Sequence, residues 1–587
     1  MAAHLASLST LFVTSPKLAS NSKAGFKPWS TTLVRCEPRA EGCGRSAAQR
    51  RPSRYQPSTW NYDFIQSITS ATSIETQRTR VEELRREVRQ LITSTTEQVA
   101  QLELINSLER LGVAYHFESE IRRSLDAIST STRGFEDLYS SSLRFRILRQ
   151  HGYNVSAECF SRFREQSGRF SENLREDVRG LLSLYEASQL ACEGETVLEE
   201  ATAFSSEHLR ARISRMDQRM SRQVQRALQV PLHRRVRRVE AREYIETFER
   251  TDRRSQVLHE FARLDFNMVQ TIHQRELREL SGWWRDLGLG EHISFARDRL
   301  VESYFMAVGK MHEPQFSQYR MQLARVSYLM ATVEDIFSEH QSVEELERFV
   351  QVVERWDLQA AEQLPQSLRV FYAAVYNTTN QISYTVLRRH GRDITSHMRR
   401  AWVSVCRAYL VEARWHRARQ TPRLEEYLSN IRAAMTGPIL LPAYFFLSQN
   451  IEEQAIQQLQ NDSNIINFSS MIVRLSADLQ RSRVGFGRGN LPRSVQIYMN
   501  EARVAEEQAR QHIRKLLRDA WRRLNRELLS AQQQQQQTAF SRSFMNVALN
   551  IARVSQCMYD YEDGVGVLEH ESMDRIYSLI AEPIQTA

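Results

Sequence analysis

Val81, Leu84, Val88, Leu91 and Ile92, in the stretch VEELRREVRQLI from Val81 to Ile92, recur at steps of three and four residues. Val99, Leu102, Ile105, Leu108 and Leu111 continue the pattern after a short break. Residues at that spacing share one face of an α-helix, so each run buries an apolar stripe and leaves the arginines and glutamates between them in water. The same period holds from Glu75 onward through both halves of the chain, and only 20 glycines and 13 prolines punctuate 587 residues. Strands need frequent turns and long helices do not, so the expected fold class is all-α.

A chain of this length exceeds what one core usually organises, which predicts two domains behind any leader. Pro231 and the basic run His233 to Arg238 interrupt the helical pattern, and Gly282, Gly288 and Gly290 are the next breaks. Composition then divides the chain into a leader at 1–49, an N-terminal helical domain at 50–262 and a C-terminal domain at 263–587. The six glutamines Gln532 to Gln537 read as a solvated loop.

The net charge of +9 is unevenly spread. Residues 1–49 carry six basic side chains against two acidic ones, leaving 73 basic against 68 acidic with both signs interspersed. That is a solvated surface rather than a polyanion groove, and no nucleic-acid partner is expected. Beyond the leader only Lys310 and Lys515 are lysine, a bias read as compositional drift. Six scattered cysteines lack disulfide-framework or zinc-type spacing. The longest apolar run, Pro438 to Leu447, falls short of the roughly 20 residues a membrane span needs. The leader is rich in Ser, Ala and Thr and poor in acid, the composition of an organellar transit peptide, with a disordered tail as the alternative.

Specific motifs carry the argument further. Arg50-Arg51, eight residues and Trp60 form an RRx8W signature, followed by Asn61-Tyr62-Asp63-Phe64-Ile65. Pro231-Leu232-His233, Glu240-Ala241-Arg242, His273 to Leu280, Trp283-Trp284-Arg285-Asp286-Leu287, Phe295-Ala296-Arg297-Asp298-Arg299-Leu300, Thr421 to Leu428 and Glu582-Pro583-Ile584 follow in order. In these features the chain resembles the plant terpene synthase family, of the monoterpene synthase type, over essentially everything from Arg50 onward. The resemblance implies an N-terminal helical barrel and a C-terminal helical bundle enclosing an apolar cavity. It also implies plastid localisation and a small-molecule terpenoid substrate. In the family, magnesium ions at the cavity mouth bind the diphosphate of geranyl diphosphate, which departs to leave a carbocation.

The positions that would hold those ions are altered. Where the family has its DDxxD motif this chain has Glu334, Asp335 and Ser338, and where it has a second ligand set, spaced by four, the chain has Ala477, Arg481 and Gly485. A guanidinium beside a would-be cation adds repulsion of roughly a few kcal/mol. Met306 stands where cyclising relatives have a tryptophan. The expectation is therefore no metal ligand set and no cofactor, with Mg²⁺ needed only under the alternative below. Arg297, Arg299, Arg481 and His340 are the candidate catalytic groups. Arg474, Arg488, Met306, Tyr304 and Asp478 are the candidate substrate-binding ones. An arginine-rich mouth suits an anionic or phenolic ligand; the same arginines can instead form ion pairs with Asp298, Asp335 or Asp478.

Three functions follow. The first reuses the cavity for metal-independent cyclisation or cycloaddition, orienting an already unsaturated terpenoid, possibly with an anionic or phenolic partner. The second is a monoterpene synthase acting on geranyl diphosphate with reduced or altered metal dependence. The third is a non-catalytic terpenoid-binding or partner protein.

Overall fold

The computed structural model describes residues 60–68, 74–131, 135–249, 252–339, 342–432, 437–448, 451–461, 463–481, 493–533, 540–559 and 569–585. Helices fill nearly all of them. Among the described residues the sole β feature is an isolated bridge between Arg164 and Phe170. The apolar run quoted first forms the Ile74–Ser94 and Gln98–Arg110 helices, and Val81, Leu84, Val88, Leu102, Ile105 and Leu108 are all buried.

The element that organises the rest is the 35-residue Arg253–Leu287 helix. Its start is specified by a reciprocal cap: the Asp252 carboxylate accepts from the Ser255 amide at 2.7 Å and the Ser255 hydroxyl accepts from the Asp252 amide at 3.0 Å. It stops at Gly288, which adopts φ 59°, a left-handed conformation that glycine reaches without a Cβ clash. Position 263 lies inside this helix, so the two expected domains share one continuous element. Residues 52–587 group as one compact unit.

Leu258, Phe261, Leu277 and Leu280 give the helix its apolar stripe, but it also buries Asp265, Asn267, Gln270, Gln274 and Glu276. A buried polar group costs stability unless it is bonded, and each of these finds a partner. Asp265 takes hydrogen bonds from Tyr115 and His116 on the N-terminal side. Asn267 pairs with both backbone groups of Ile584, at 2.8 and 2.9 Å. Gln270 donates to the carbonyls of Leu579 and Glu582, and Gln274 to that of Ile580. The Glu582-Pro583-Ile584 motif is thus a structural clasp. Trp60 of the RRx8W signature is buried against Phe64 and Tyr577, while Arg50 and Arg51 lie outside the described residues.

The C-terminal bundle packs the Leu300–Lys310 helix on Ser317–Glu339, and sets Asn464–Arg481 between Glu506–Gln533 and Arg542–Tyr559. Glu276 and Arg320 form a fully buried ion pair beneath it, 2.6 and 2.8 Å through two guanidinium nitrogens.

Lys310, one of the two lysines beyond the leader, is not on the surface. Its ammonium is buried and, among the described residues, donates to the Ser327 hydroxyl alone, at 3.2 Å, and burial pulls its pKa down to about 7. The folded state therefore binds this proton less well than the unfolded chain, so stability rises with pH between about 7 and 10.5. Lys310→Met should raise the melting temperature, with the gain over the parent larger at pH 7 than at pH 9.5; a pH-independent gain would show that the amine is not the cause.

Candidate functional site

The two altered motifs lie on neighbouring parts of the bundle. Glu334, Asp335 and Ser338 fall in the last turns of the Ser317–Glu339 helix, and Arg474, Ala477 and Asp478 near the end of Asn464–Arg481. Glu334 and Ser338 are one turn apart and so share a face. Asp335 points elsewhere: its carboxylate accepts from the Arg297 amide at 2.9 Å and from two guanidinium nitrogens, at 2.9 and 2.5 Å. Arg297 is held from both its backbone and its side chain, in the segment just before the Leu300–Lys310 helix.

Around the second motif a deeper charge network forms. The Arg474 guanidinium meets Glu412 at 2.9 Å, Asp478 at 3.1 Å and the Tyr427 hydroxyl at 2.6 Å. Asp478 also accepts from Tyr427 at 2.9 Å and from the Ser494 amide at 3.2 Å. Burial alone would lower the arginine's pKa, yet the surrounding Glu412, Tyr427 and Asp478 hold it charged, well above its ordinary value. Burial likewise pushes the Tyr427 hydroxyl up, so it stays a donor at any physiological pH.

Arg493 joins the two motifs. It opens the Ser494–Ala502 helix and sits 3.5 Å from Glu412 and 3.8 Å from Glu334. These contacts are longer than those of Arg297 and Arg474, which leaves Arg493 the more loosely engaged of the three guanidinium groups.

Of the residues expected from sequence, the structure brings Arg297 to Asp335 and Arg474 to Asp478, realising the ion-pair reading for both. Arg299 contacts Glu302 at 3.3 Å. Asp298 accepts from the Leu300 amide, and burial pushes its pKa up to about 6. Tyr304 is fully buried and donates to Glu276 at 2.7 Å, which commits its hydroxyl to the ion pair beneath the bundle. Met306 is half-buried against the core, and Ala477 presents a buried methyl group. His340, Gly485, Arg488 and the side chain of Arg481 lie outside the described residues.

Sequence reasoning missed Glu412 and Arg493. Glu412 sits among the basic residues of the Thr395–Arg417 helix and looks like one more solvated charge; only the approach of Arg474 reveals it. Arg493 follows Pro492 in a stretch with no periodicity to place it.

The site can be compared with known proteins. Residues 285–523 match the terpene synthase family, metal binding domain, and residues 59–228 the terpene synthase N-terminal domain. The chain is 41% identical over 542 residues to (-)-alpha-terpineol synthase of Vitis vinifera, covering 91% of each. It is 41% identical over 541 residues to the chloroplastic alpha-thujene synthase of Litsea cubeba, covering 92% of each. Isoprene synthase of Populus x canescens, in complex with three Mg²⁺ ions and dimethylallyl-S-thiolodiphosphate, is 38% identical. It superposes with a TM-score of 0.80 over 90% of this chain and 99% of that one.

These matches overturn the expectation that no cofactor is required, since the matched domain is a metal-binding one and the isoprene synthase structure carries Mg²⁺. The physical reason is that magnesium needs only one or two protein carboxylates, taking its other ligands from water and substrate phosphates. Altered ligand positions therefore do not abolish a metal. Among the described residues no cluster of three or more His, Cys, Asp or Glu is arranged to hold an ion. The carboxylate of Glu334, with the Ser338 hydroxyl one turn on, fits a cation completed by phosphate oxygens. Ala477 has no oxygen to offer, so the second motif does not fit at its first position.

Removing a buried guanidinium strands its partners. Arg474→Gln, which leaves Glu412 and Asp478 uncompensated, should cost about 3–5 kcal/mol in denaturant unfolding. Arg493→Gln, with longer contacts and more exposure, should cost less than half as much. Equal losses would contradict the ranking drawn from the distances.

Proposed function

The chain belongs to the terpene synthase family, and on that premise we propose that it is a monoterpene synthase that ionises geranyl diphosphate with altered metal dependence. Magnesium is held at the first motif alone, and arginines neutralise charge where the second motif has lost its ligands. The observation that carries this reading is Arg493, which reaches Glu334 of the first motif at 3.8 Å and Glu412, the partner of Arg474, at 3.5 Å and is tightly bound by neither. The names of the terpineol and thujene synthases, both ten-carbon products, support a ten-carbon substrate.

Glu334 and Ser338 are the residues that would hold the ion, which when bound supplies charge stabilisation to the departing diphosphate. The protein's own groups do the rest. Arg297, clamped to Asp335 by backbone and side chain, stays oriented at no further entropic cost. Arg299 and Arg493, whose carboxylate contacts are 3.3 Å or longer, exchange those contacts for diphosphate oxygens when substrate arrives. Arg474 is too tightly held to move and keeps Asp478 and Glu412 from repelling the incoming anion. Arg481 and Arg488 are assigned to the same diphosphate-facing group on sequence position. The leader composition, with the chloroplastic naming of the Litsea relative, supports plastid targeting.

The test is incubation of the purified protein with geranyl diphosphate across a magnesium titration, following diphosphate release and volatile products. Magnesium-dependent release is expected, and none at any magnesium concentration would sink the proposal. Ser338→Asp restores a carboxylate at the first motif. It should lower the magnesium concentration for half-maximal turnover by about tenfold, the scale on which metal sites respond to changes in their ligands and supporting contacts; an unchanged requirement would show that position 338 does not face the ion.

A further inference from the structure

A second charged site lies where N-terminal helices meet the C-terminal bundle. A cleft of ≈ 630 Å³ opens there, and its walls include none of Arg297, Arg299, Glu334, Asp335, Arg474 or Asp478. Basic groups outnumber acidic ones on those walls, and the acids are largely committed. Glu240 is paired with Arg110 and Arg235 at 2.8 Å each. Glu109 accepts from His151 at 2.5 Å; burial would raise its carboxyl, but His151 overcomes this and holds it down at about 2. Glu118 is on the exposed rim, and Glu313 stands 3.8 Å from His312.

Four guanidinium groups are left over. Arg122, Arg237, Arg542 and Arg553 all line the cleft, and among the described residues none forms an ion pair with a carboxylate. Arg553 is 4% exposed and bonds only neutral groups, the His233 carbonyl at 2.7 Å and the Asn550 side chain at 2.9 Å. Arg542 meets no carboxylate either, its guanidinium lying 2.8 Å from His151 Nδ1. Burial disfavours the charged form of both, helped by Arg122 and Arg237 at Arg542 and by Arg237 at Arg553, and Glu109, with Glu118 at Arg542, offsets this only in part. His233, 3% exposed on the same wall, has a buried Nδ1 with no hydrogen-bond partner. Its Nε2 is turned to the Asn525 oxygen at 2.8 Å, because the Asn525 amide nitrogen is spent on the carbonyls of Gln189 and Ala191.

Cations drawn out of water with no carboxylate in contact are costly, and such groups suit a site that a ligand completes. The geometry points to a second anion-binding site in this cleft, for the phosphate or diphosphate group of a small molecule, held by Arg542 and Arg553 with Arg122 and Arg237 at the entrance. Guanidinium forks match phosphate oxygens in pairs, and the volume admits a diphosphate with room for a modest organic group. The site is independent of the reading of the motif residues and would stand if that reading fell.

Inorganic diphosphate and inorganic phosphate are the probes, titrated calorimetrically into the full-length protein in the presence of chelator, against chloride at equal ionic strength. Binding by the parent protein is expected. It should weaken by about tenfold or more in Arg542→Gln and in the double variant Arg122→Gln/Arg237→Gln, the usual worth of losing charge-assisted hydrogen bonds. It should persist in Arg299→Gln, which alters only the motif region. The double variant changes two exposed side chains and carries the test if Arg542→Gln fails to fold. Absence of binding beyond chloride, undiminished binding in the cleft variants, or loss of binding in Arg299→Gln would each overturn the proposal.

Discussion

Two guanidinium groups taken out of water are met by opposite charge inside, and these pairs fix how the helices of the bundle meet. Arg474 and Arg320 are both buried, each locked to carboxylates on other helices: Glu412 for the first and Glu276 for the second. An isolated ion in that environment costs several kcal/mol, so neither helix can shift without its partner. Arg297 and Asp335 extend the same logic to the first motif, where a side chain that looks like a metal ligand is occupied by a cation of the protein's own. The arrangement trades strength for specificity: a well-packed apolar pair could be as stable, but only matched charges dictate which helix meets which.

That trade explains the magnesium result. A reading by ligand count saw five altered positions and concluded that the metal was dispensable. Counting treats each carboxylate as a vote, whereas the ion is bound by a shell of which the protein supplies only a part. Glu334 and Ser338 remain on one helical face, while Asp335 belongs to Arg297.

The fold was legible because helical periodicity is a local property. Val81 to Ile92 announces its buried face without reference to anything else, and the cap at Asp252 and the stop at Gly288 are readable at fixed offsets. The site was legible only where a residue's partner is set by the family pattern, as with Arg297, Arg474 and Asp478. Glu412 and Arg493 escaped because their meaning is supplied by a residue 62 or more positions away. Tyr304, expected among the substrate-binding residues, has its hydroxyl drawn instead to Glu276 by an ion pair that no spacing encodes. The burial of Lys310 was not legible at all, since nothing in a one-residue pattern distinguishes a solvated ammonium from a trapped one.

The hydrogen bonds from Asn267, Gln270 and Gln274 to residues 579–584 bear on when the chain can fold. Those acceptors lie 306 to 317 positions further along the chain, yet they satisfy polar groups in the middle of the longest helix. Until they arrive, a nascent chain with that helix formed exposes three amides meant for the interior. The polar face of that helix is therefore satisfied only after residues 579–584 have been made, and the interval must be covered by whatever holds an incomplete surface apart from its neighbours.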